Sequence, residues 1–303
     1  MKLSLLLLVP LALGIMLFCG AASALPTANA PGNFITGNGT VSEYDKDGTP
    51  VRTFDGISGA TSVAVGPLSG NFFAVDGTNL YEINVDTGVA TTIGTPLTQP
   101  KFNAPMAIAF APNNRLYVVN SGTSTVLEML VDISGLNPYV LKSTIGNSYL
   151  HSPNALAFYN GRMYVSNGST NDIAVFNNTF GVLAPLTVAG LNNPSGLAFG
   201  SNGSLYVVNR GGNNVLEVDP ITGAIRRTLA GPLVDPRNIA ISNTTLLVSD
   251  ANGVSEFDAT DGSFVRSFAI GAVNGIAAVA PEPISLALLG IGLAGLAYRR
   301  RRK

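Results

Sequence analysis

The chain has 303 residues, 46% of them hydrophobic, with 34 Gly and 18 Pro, a composition too apolar for a disordered chain and rich in turn formers. Its formal net charge is −1, but Lys2 and the basic residues 299–303 sit at the ends, and residues 25–281 hold 11 Lys and Arg against 17 Asp and Glu, a net of −6. A mildly acidic body excludes nucleic acid as a partner, because phosphate contacts need a basic face.

In chain order, Lys2, an apolar run over residues 3–18 and Ala22-Ser23-Ala24 have the three-part layout of a secretory signal peptide over residues 1–24. The body is therefore expected to be exported. Cys19, the only cysteine, falls inside that segment, and bulky Phe18 before it argues against acylation. The mature body then has neither thiol nor disulfide, which a domain with a large core can do without. A Pro/Ala/Gly-rich spacer, residues 25–32, leads into the repeats.

The repeat is plainest in NPSGLAFGSNGSLYVVNRGGNNVLEVDPITG, residues 193–223. It reads as a short strand at 195–199, an apolar strand at 205–208 and an alternating strand at 215–218, each bounded by Gly, Asn or Asp-Pro turns. The second strand recurs at 34–38, 72–76, 116–120, 163–167, 205–209 and 246–250. The third recurs from Val41, Leu80, Val126, Ile173, Val215 and Val254, with a less regular fourth such as 51–54, 225–229 or 264–269. A short opening strand of small or branched residues starts at Ser62, Ala107, Ala155, Gly196, Asn238 and Gly275.

Second strands follow one another at 38 to 47 residues, the period of four-stranded propeller blades, while the period-2 patterning excludes a solenoid of helix pairs. The first second-strand, at Phe34, has no opening strand before it, and the last opening strand, residues 275–279, has no second strand after it. The two are expected to complete one blade. The predicted fold is all-β, a six-bladed β-propeller over residues 33–279 closed by the C-terminal strand joining the N-terminal blade, an arrangement that hides both terminal edges.

Residues 194–219 resemble NHL-type repeats, in the wider group of six-bladed propellers that includes the gluconolactonase-like enzymes. The resemblance covers residues 33–279 and implies the fold, not the activity, since such propellers serve as enzymes, carbohydrate binders and scaffolds alike. The tail, residues 280–303, resembles a PEP-CTERM sorting signal: Pro281, Glu282 and Pro283, then apolar or small residues 284–298, then Arg299, Arg300, Arg301, Arg302 and Lys303. That resemblance implies an exosortase-type processing enzyme as partner, in a Gram-negative host, transient inner-membrane anchoring through residues 284–298, and final delivery to the cell surface or outside. A helix over those 15 residues would be about 22 Å long against a bilayer core of about 30 Å, which suits a stop-transfer element better than a lasting span. The basic end would be held in the cytoplasm.

Few motifs carry chemistry. The G-x-G-x-x-G of residues 290–295 neither follows a strand nor opens a βαβ unit, so it is tail glycine rather than a dinucleotide site. Asn38, Asp76, Asn120, Asn167, Asn209 and Asp250 end the second strands and are expected to cap the following turns. Glu43, Glu82, Glu128, Glu217 and Glu256 recur at one place in the third strand and are expected to form a solvated polar face. N-x-S/T triplets such as residues 177–179 and 202–204 reflect turn composition. His151, the only histidine, lies just before an opening strand, in a segment that a propeller places around its axial mouth.

The gluconolactonase-like resemblance implies an axial divalent ion held by a Glu, an Asn and an Asp. Asn154 matches the Asn, but the equivalent start of the next unit is Ser195, the following one offers Arg237 with Asp235 just before it, the last offers Asn274, and no Glu precedes the first blade. Neutral amides beside an arginine should hold a hard cation weakly, so no metal and no cofactor is expected. The candidate ligand-contacting residues are His151, Asn154, Ser195, Asp235, Arg237 and Asn274, with no catalytic set. The leading expectation is a monomeric, exported, non-enzymatic module binding polysaccharide or another exported protein. A lactonase-like metal-dependent hydrolase stands second, and ice or surface adhesion, lacking a flat Thr-rich face, last.

Overall fold

A strand apolar at successive positions, such as Leu205-Tyr206-Val207-Val208, needs cover on both faces, and neighbouring blades supply it. The computed structural model describes residues 33–67, 70–93, 102–131, 139–146, 148–242 and 244–279. The expected signal peptide, the spacer, Cys19 and the apolar tail lie outside them.

Six antiparallel sheets follow one another around an axis. The first holds β1 (Phe34–Asn38), β2 (Thr40–Tyr44) and β3 (Pro50–Phe54); the second, β4 (Ser62–Val65), β5 (Phe72–Val75), β6 (Leu80–Ile83) and β7 (Ala90–Thr92). The third holds β8 (Pro105–Phe110), β9 (Leu116–Asn120), β10 (Thr125–Val131) and β11 (Tyr139–Gly146). The fourth has only three strands, β12 (Pro153–Tyr159), β13 (Arg162–Asn167) and β14 (Asp172–Phe176), and the chain after β14 returns by the isolated bridges Phe176↔Val182 and Ile173↔Leu186. The fifth is β15 (Pro194–Phe199), β16 (Leu205–Asn209), β17 (Asn214–Val218) and β18 (Ile225–Leu229). The sixth is β19 (Asn238–Ser242), β20 (Thr245–Ser249), β21 (Val254–Asp258) and β22 (Phe264–Phe268). This is the six-bladed propeller read from the repeats.

The last strand, β23 (Gly275–Ala278), closes the ring as the sequence predicts. It pairs with β1 in the register Phe34↔Ala278, Ile35↔Ala277, Thr36↔Ile276 and Gly37↔Gly275. The six opening strands line an axial channel of about 750 Å³ with small and branched residues such as Ala64, Ala107, Ala155, Ala198 and Ala277. Small residues are required there. A Cβ on Gly196 would lie 2.7 Å from Asn238 Cα, and one on Gly275 would lie 2.6 Å from Ser62 Cα, so the next opening backbone leaves no room for a side chain.

The recurrent glutamates are not a solvated face. Glu43, Glu128 and Glu217 are 0%, 1% and 3% exposed, because both faces of a middle strand are covered by adjacent blades. In three blades an arginine stands directly across on the fourth strand: Glu43↔Arg52, Glu217↔Arg227 and Glu256↔Arg266. Each is an ion pair, at 2.8, 2.7 and 2.6 Å. Each arginine also donates to the matching turn of the next blade, Arg52 to Val85 O, Arg227 to Thr260 O and Arg266 to Lys46 O. The last of these joins blade six back to blade one. Isolated buried pairs are weak stabilisers, but here one guanidinium serves a carboxylate and a neighbouring turn together; for Glu217 Oε2 the contact with Arg227 is ionic and no hydrogen bond completes it. In blade three Glu128 uses Arg115 and Ser143 instead, and in blade two half-buried Glu82 accepts from Asn71 Nδ2 at 2.7 Å.

The residues ending the second strands divide by type. Asp76 Oδ1 accepts from the backbone N–H of Thr78 and Asn79, and Asp250 Oδ1 from Asn252 and Gly253, so both aspartates cap their turns. Three of the asparagines serve two sides: their Nδ2 atoms fasten the following turn, Asn120 to Thr123 Oγ1, Asn167 to Asp172 Oδ1 and Asn209 to Asn214 Oδ1, while their Oδ1 atoms accept from the N–H of Asn103, His151 and Asn192, in the loops leading into their own blades. An amide both accepts and donates, so it can hold such a loop from inside. Asn167 and Asn209 also donate to Tyr149 O and Gly190 O.

Candidate functional site

Each opening segment presents one residue, just ahead of its small-residue run, to the same end of the axis. The six are Thr61, Met106, Asn154, Ser195, Arg237 and Asn274, one per blade, and with Arg210 they line a mouth of about 170 Å³. Four of the sequence candidates, Asn154, Ser195, Arg237 and Asn274, therefore meet on one ring. Thr61, Met106 and Arg210 were missed. Aligning the residue before each opening strand identifies the first two, whereas Arg210 arrives from the 3₁₀ turn after β16 and has no such signal.

Part of this ring is occupied in holding itself together. Thr61 Oγ1 donates to Pro105 O at 2.8 Å, Asn154 Nδ2 to Pro194 O at 2.9 Å and Ser195 Oγ to Pro236 O at 3.3 Å. Each of these bonds ties one blade's opening to the next. The charged part is on one side. Arg210 meets Asp235 bidentately, Nε to Oδ1 at 2.5 Å and Nη2 to Oδ2 at 2.9 Å, while Arg237 Nη2 donates to Oδ2 at 2.9 Å and its Nη1 to Asn274 Oδ1. The Arg210 guanidinium, seconded by Arg237, holds the Asp235 carboxyl below the usual carboxylate range despite its partial burial. Two guanidiniums against one carboxylate leave the mouth with one excess positive charge.

His151 is exposed and does not line the mouth; its backbone N–H is held by Asn167 Oδ1, and its carbonyl accepts from Ser169 Oγ. The axial metal implied by the gluconolactonase-like resemblance does not fit these residues. Asn154 keeps its Oδ1 available, since only its amide nitrogen donates to Pro194, but no carboxylate lines the mouth among the described residues and Asp235 beside it is committed to two arginines that would repel a cation. Among the described residues no three His, Cys, Asp or Glu side chains gather at metal-binding spacing.

Residues 279–302 match the model of the PEP-CTERM protein-sorting motif. The chain carries a PEP-CTERM sorting signal. The signal implies export, membrane-anchored sorting and handling by an exosortase-type enzyme, so the propeller is an exported one. No curated protein matches the chain in sequence. Among solved structures, the fold is similar to a chain of a nidogen/laminin complex, with TM-score 0.66 at 16% identity, covering 81% of this chain and 97% of that one. It is equally similar to a protein of unknown function from Bacteroides caccae, with TM-score 0.65 at 14% identity, covering 82% and 98%. Virginiamycin B lyase from Staphylococcus aureus is more distant, with TM-score 0.55 at 13% identity, covering 74% and 75%. Identities this low carry the fold alone.

Proposed function

We propose that this protein is a non-enzymatic binding module, delivered to the cell surface or its surrounding matrix, whose axial mouth holds a polysaccharide chain. The observation that carries the reading is the make-up of the six-residue ring: four neutral hydrogen-bonding side chains, Met106 and one arginine, with no carboxylate among its described lining residues and Asp235 beside it locked in an ion pair. A carboxylate held ionised by two guanidiniums is a poor proton acceptor, and nothing beside it supplies the complementary acid. Hydroxyl groups, by contrast, suit amides and guanidinium N–H donors. The purified protein is expected to bind on a glycan array, and Arg237→Ala and Asn274→Ala should each weaken the hit about tenfold or more, the loss of roughly one hydrogen bond involving a charged group.

A lactonase-like hydrolase at the same mouth is the second reading, favoured by Asn154 standing where that group keeps its metal-binding Asn. Micromolar Ca²⁺ binding by calorimetry that Asn154→Ala or Asp235→Ala abolishes would replace the first reading with the second. The sorting step has its own check. Intact mass of protein from a host with the exosortase-type enzyme is expected to lack residues 284–303, whereas full-length mass on surface-recovered protein would mean that the tail is a permanent anchor.

A further inference from the structure

Strand direction decides where the chain leaves the ring. β23 starts beside Asn274, a member of the mouth, and runs along the axis to Ala278. β1 pairs with it antiparallel, Phe34 opposite Ala278, and Val279 N–H donates to Asn33 O at 2.8 Å. Residues 33 and 279 therefore sit side by side on the face opposite the mouth, where Val279 is held and buried. β23 is the innermost strand of its blade, in the order β23-β1-β2-β3, and Ala277 and Ala278 line the axial channel. The exit is thus near the centre of that far face, not at its rim.

The sequence beyond the exit limits how far the ring can stand from a bilayer. Ala280, Pro281, Glu282 and Pro283 separate Val279 from Ile284, where the apolar run of the sorting signal begins. Five residue steps span at most about 18 Å, and a headgroup layer of about 5–7 Å leaves about 12 Å of that. A blade is wider: three inter-strand spacings of about 4.8 Å put its outer strand about 14 Å from its inner one. The connection is therefore too short for the ring to rest on its rim. Bringing the mouth to the lipid would need the chain to pass the rim and then climb the depth of a blade, about 16 Å more for a five-residue strand.

We propose that, while the sorting signal holds the chain in the membrane, the far face of the propeller lies against the lipid surface and the mouth points away from it. The mouth is then open to a ligand before the tail is processed. The residue-33 end leaves by the same face, so the ring keeps this orientation from the moment it closes. The orientation rests on the sorting signal and on strand direction, not on which ligand the mouth takes.

Energy transfer from single dye-labelled cysteines to dye-labelled lipid headgroups tests it, on the full chain reconstituted in phosphatidylcholine vesicles in a Cys19→Ser background. Thr170→Cys and Asn178→Cys place exposed labels beyond the two ends of β14, on the mouth side and the far side. Transfer from Asn178→Cys is expected to be at least twofold more efficient than from Thr170→Cys. Inserting about twenty Gly and Ser residues between Val279 and Ala280, a flexible span of roughly 25 Å, should bring the two efficiencies together. Equal transfer without the insertion, or stronger transfer from Thr170→Cys, overturns the proposal. A difference that survives the insertion does the same, because the short connection would then not be what orients the ring. Neither readout involves a glycan, so failure here is distinct from failure of the mouth to bind one.

Discussion

Removing residues 273–279 is expected to abolish the cooperative thermal transition of this propeller. Those residues supply the inner strand of the blade that also holds the chain's first strand, so their loss unpairs β1 along Phe34, Ile35, Thr36 and Gly37. Three further backbone bonds go with them, Val273 N–H to Asp250 O, Asn274 N–H to Gly37 O and Val279 N–H to Asn33 O. Val273, Ile276 and Val279 are 1%, 3% and 6% exposed, and burying side chains of this size contributes about 1.5–3 kcal/mol each. Their sum rivals the whole stability of a typical domain, about 5–15 kcal/mol. The deletion also bares a strand edge, which invites aggregation. Scanning calorimetry should show a broad or absent transition, against a sharp one for a chain ending at residue 279. A truncated protein melting at the parent temperature would mean that the ring does not depend on its closing strand.

That closure was legible in the sequence because it is a matter of counting. Two orphan strands, one at each end of a regular repeat, can complete a blade only together. The axial mouth was legible for a related reason: the residue before each opening strand has no alternative but the axis, so Asn154, Ser195, Arg237 and Asn274 could be named without coordinates. His151 lies three residues before Asn154, in a loop that Asn167 fastens outside the mouth. Proximity in sequence to an axial strand was a poor guide once the chain left the strand. The glutamates were misread because a period-2 pattern shows that Glu43 and Glu217 face away from their apolar neighbours, but not that another blade covers that face. The signal was present one strand later: Arg52, Arg227 and Arg266 stand at a shared place in the fourth strands, opposite the glutamates. The irregular spacing of those strands obscured it.

Glu128→Ala is expected to destabilise the fold by about 3 kcal/mol. Glu128 is 1% exposed and gathers four partners: Arg115 Nη1 at 2.5 Å, Tyr117 Oη at 3.0 Å, Ser143 Oγ at 2.6 Å and Lys142 Nζ at 3.6 Å. Breaking a buried pair from one side costs about 3–5 kcal/mol. The lower end applies because Arg115 and Lys142 are 33% and 39% exposed and water can take over their charge. The pH dependence follows from the same contacts. Burial pushes the Glu128 carboxyl up, but the hydrogen bonds from Ser143, Arg115 and Tyr117 outweigh it and leave the group below its ordinary range. A carboxyl depressed in the folded state contributes stability above its unfolded value, about 4.3, and loses that contribution as pH falls through the folded value. Tyr117 is pushed up to about 12 by its burial and by the Glu128 charge, so it contributes below about 10 and loses that contribution as pH rises. Denaturant midpoints measured across pH should therefore fall at both extremes for the parent. Glu128→Gln should lose stability near neutrality and show a flatter acid limb, since an amide has no proton to gain there. An acid limb as steep in Glu128→Gln as in the parent would place the acid-sensitive group elsewhere in the ring.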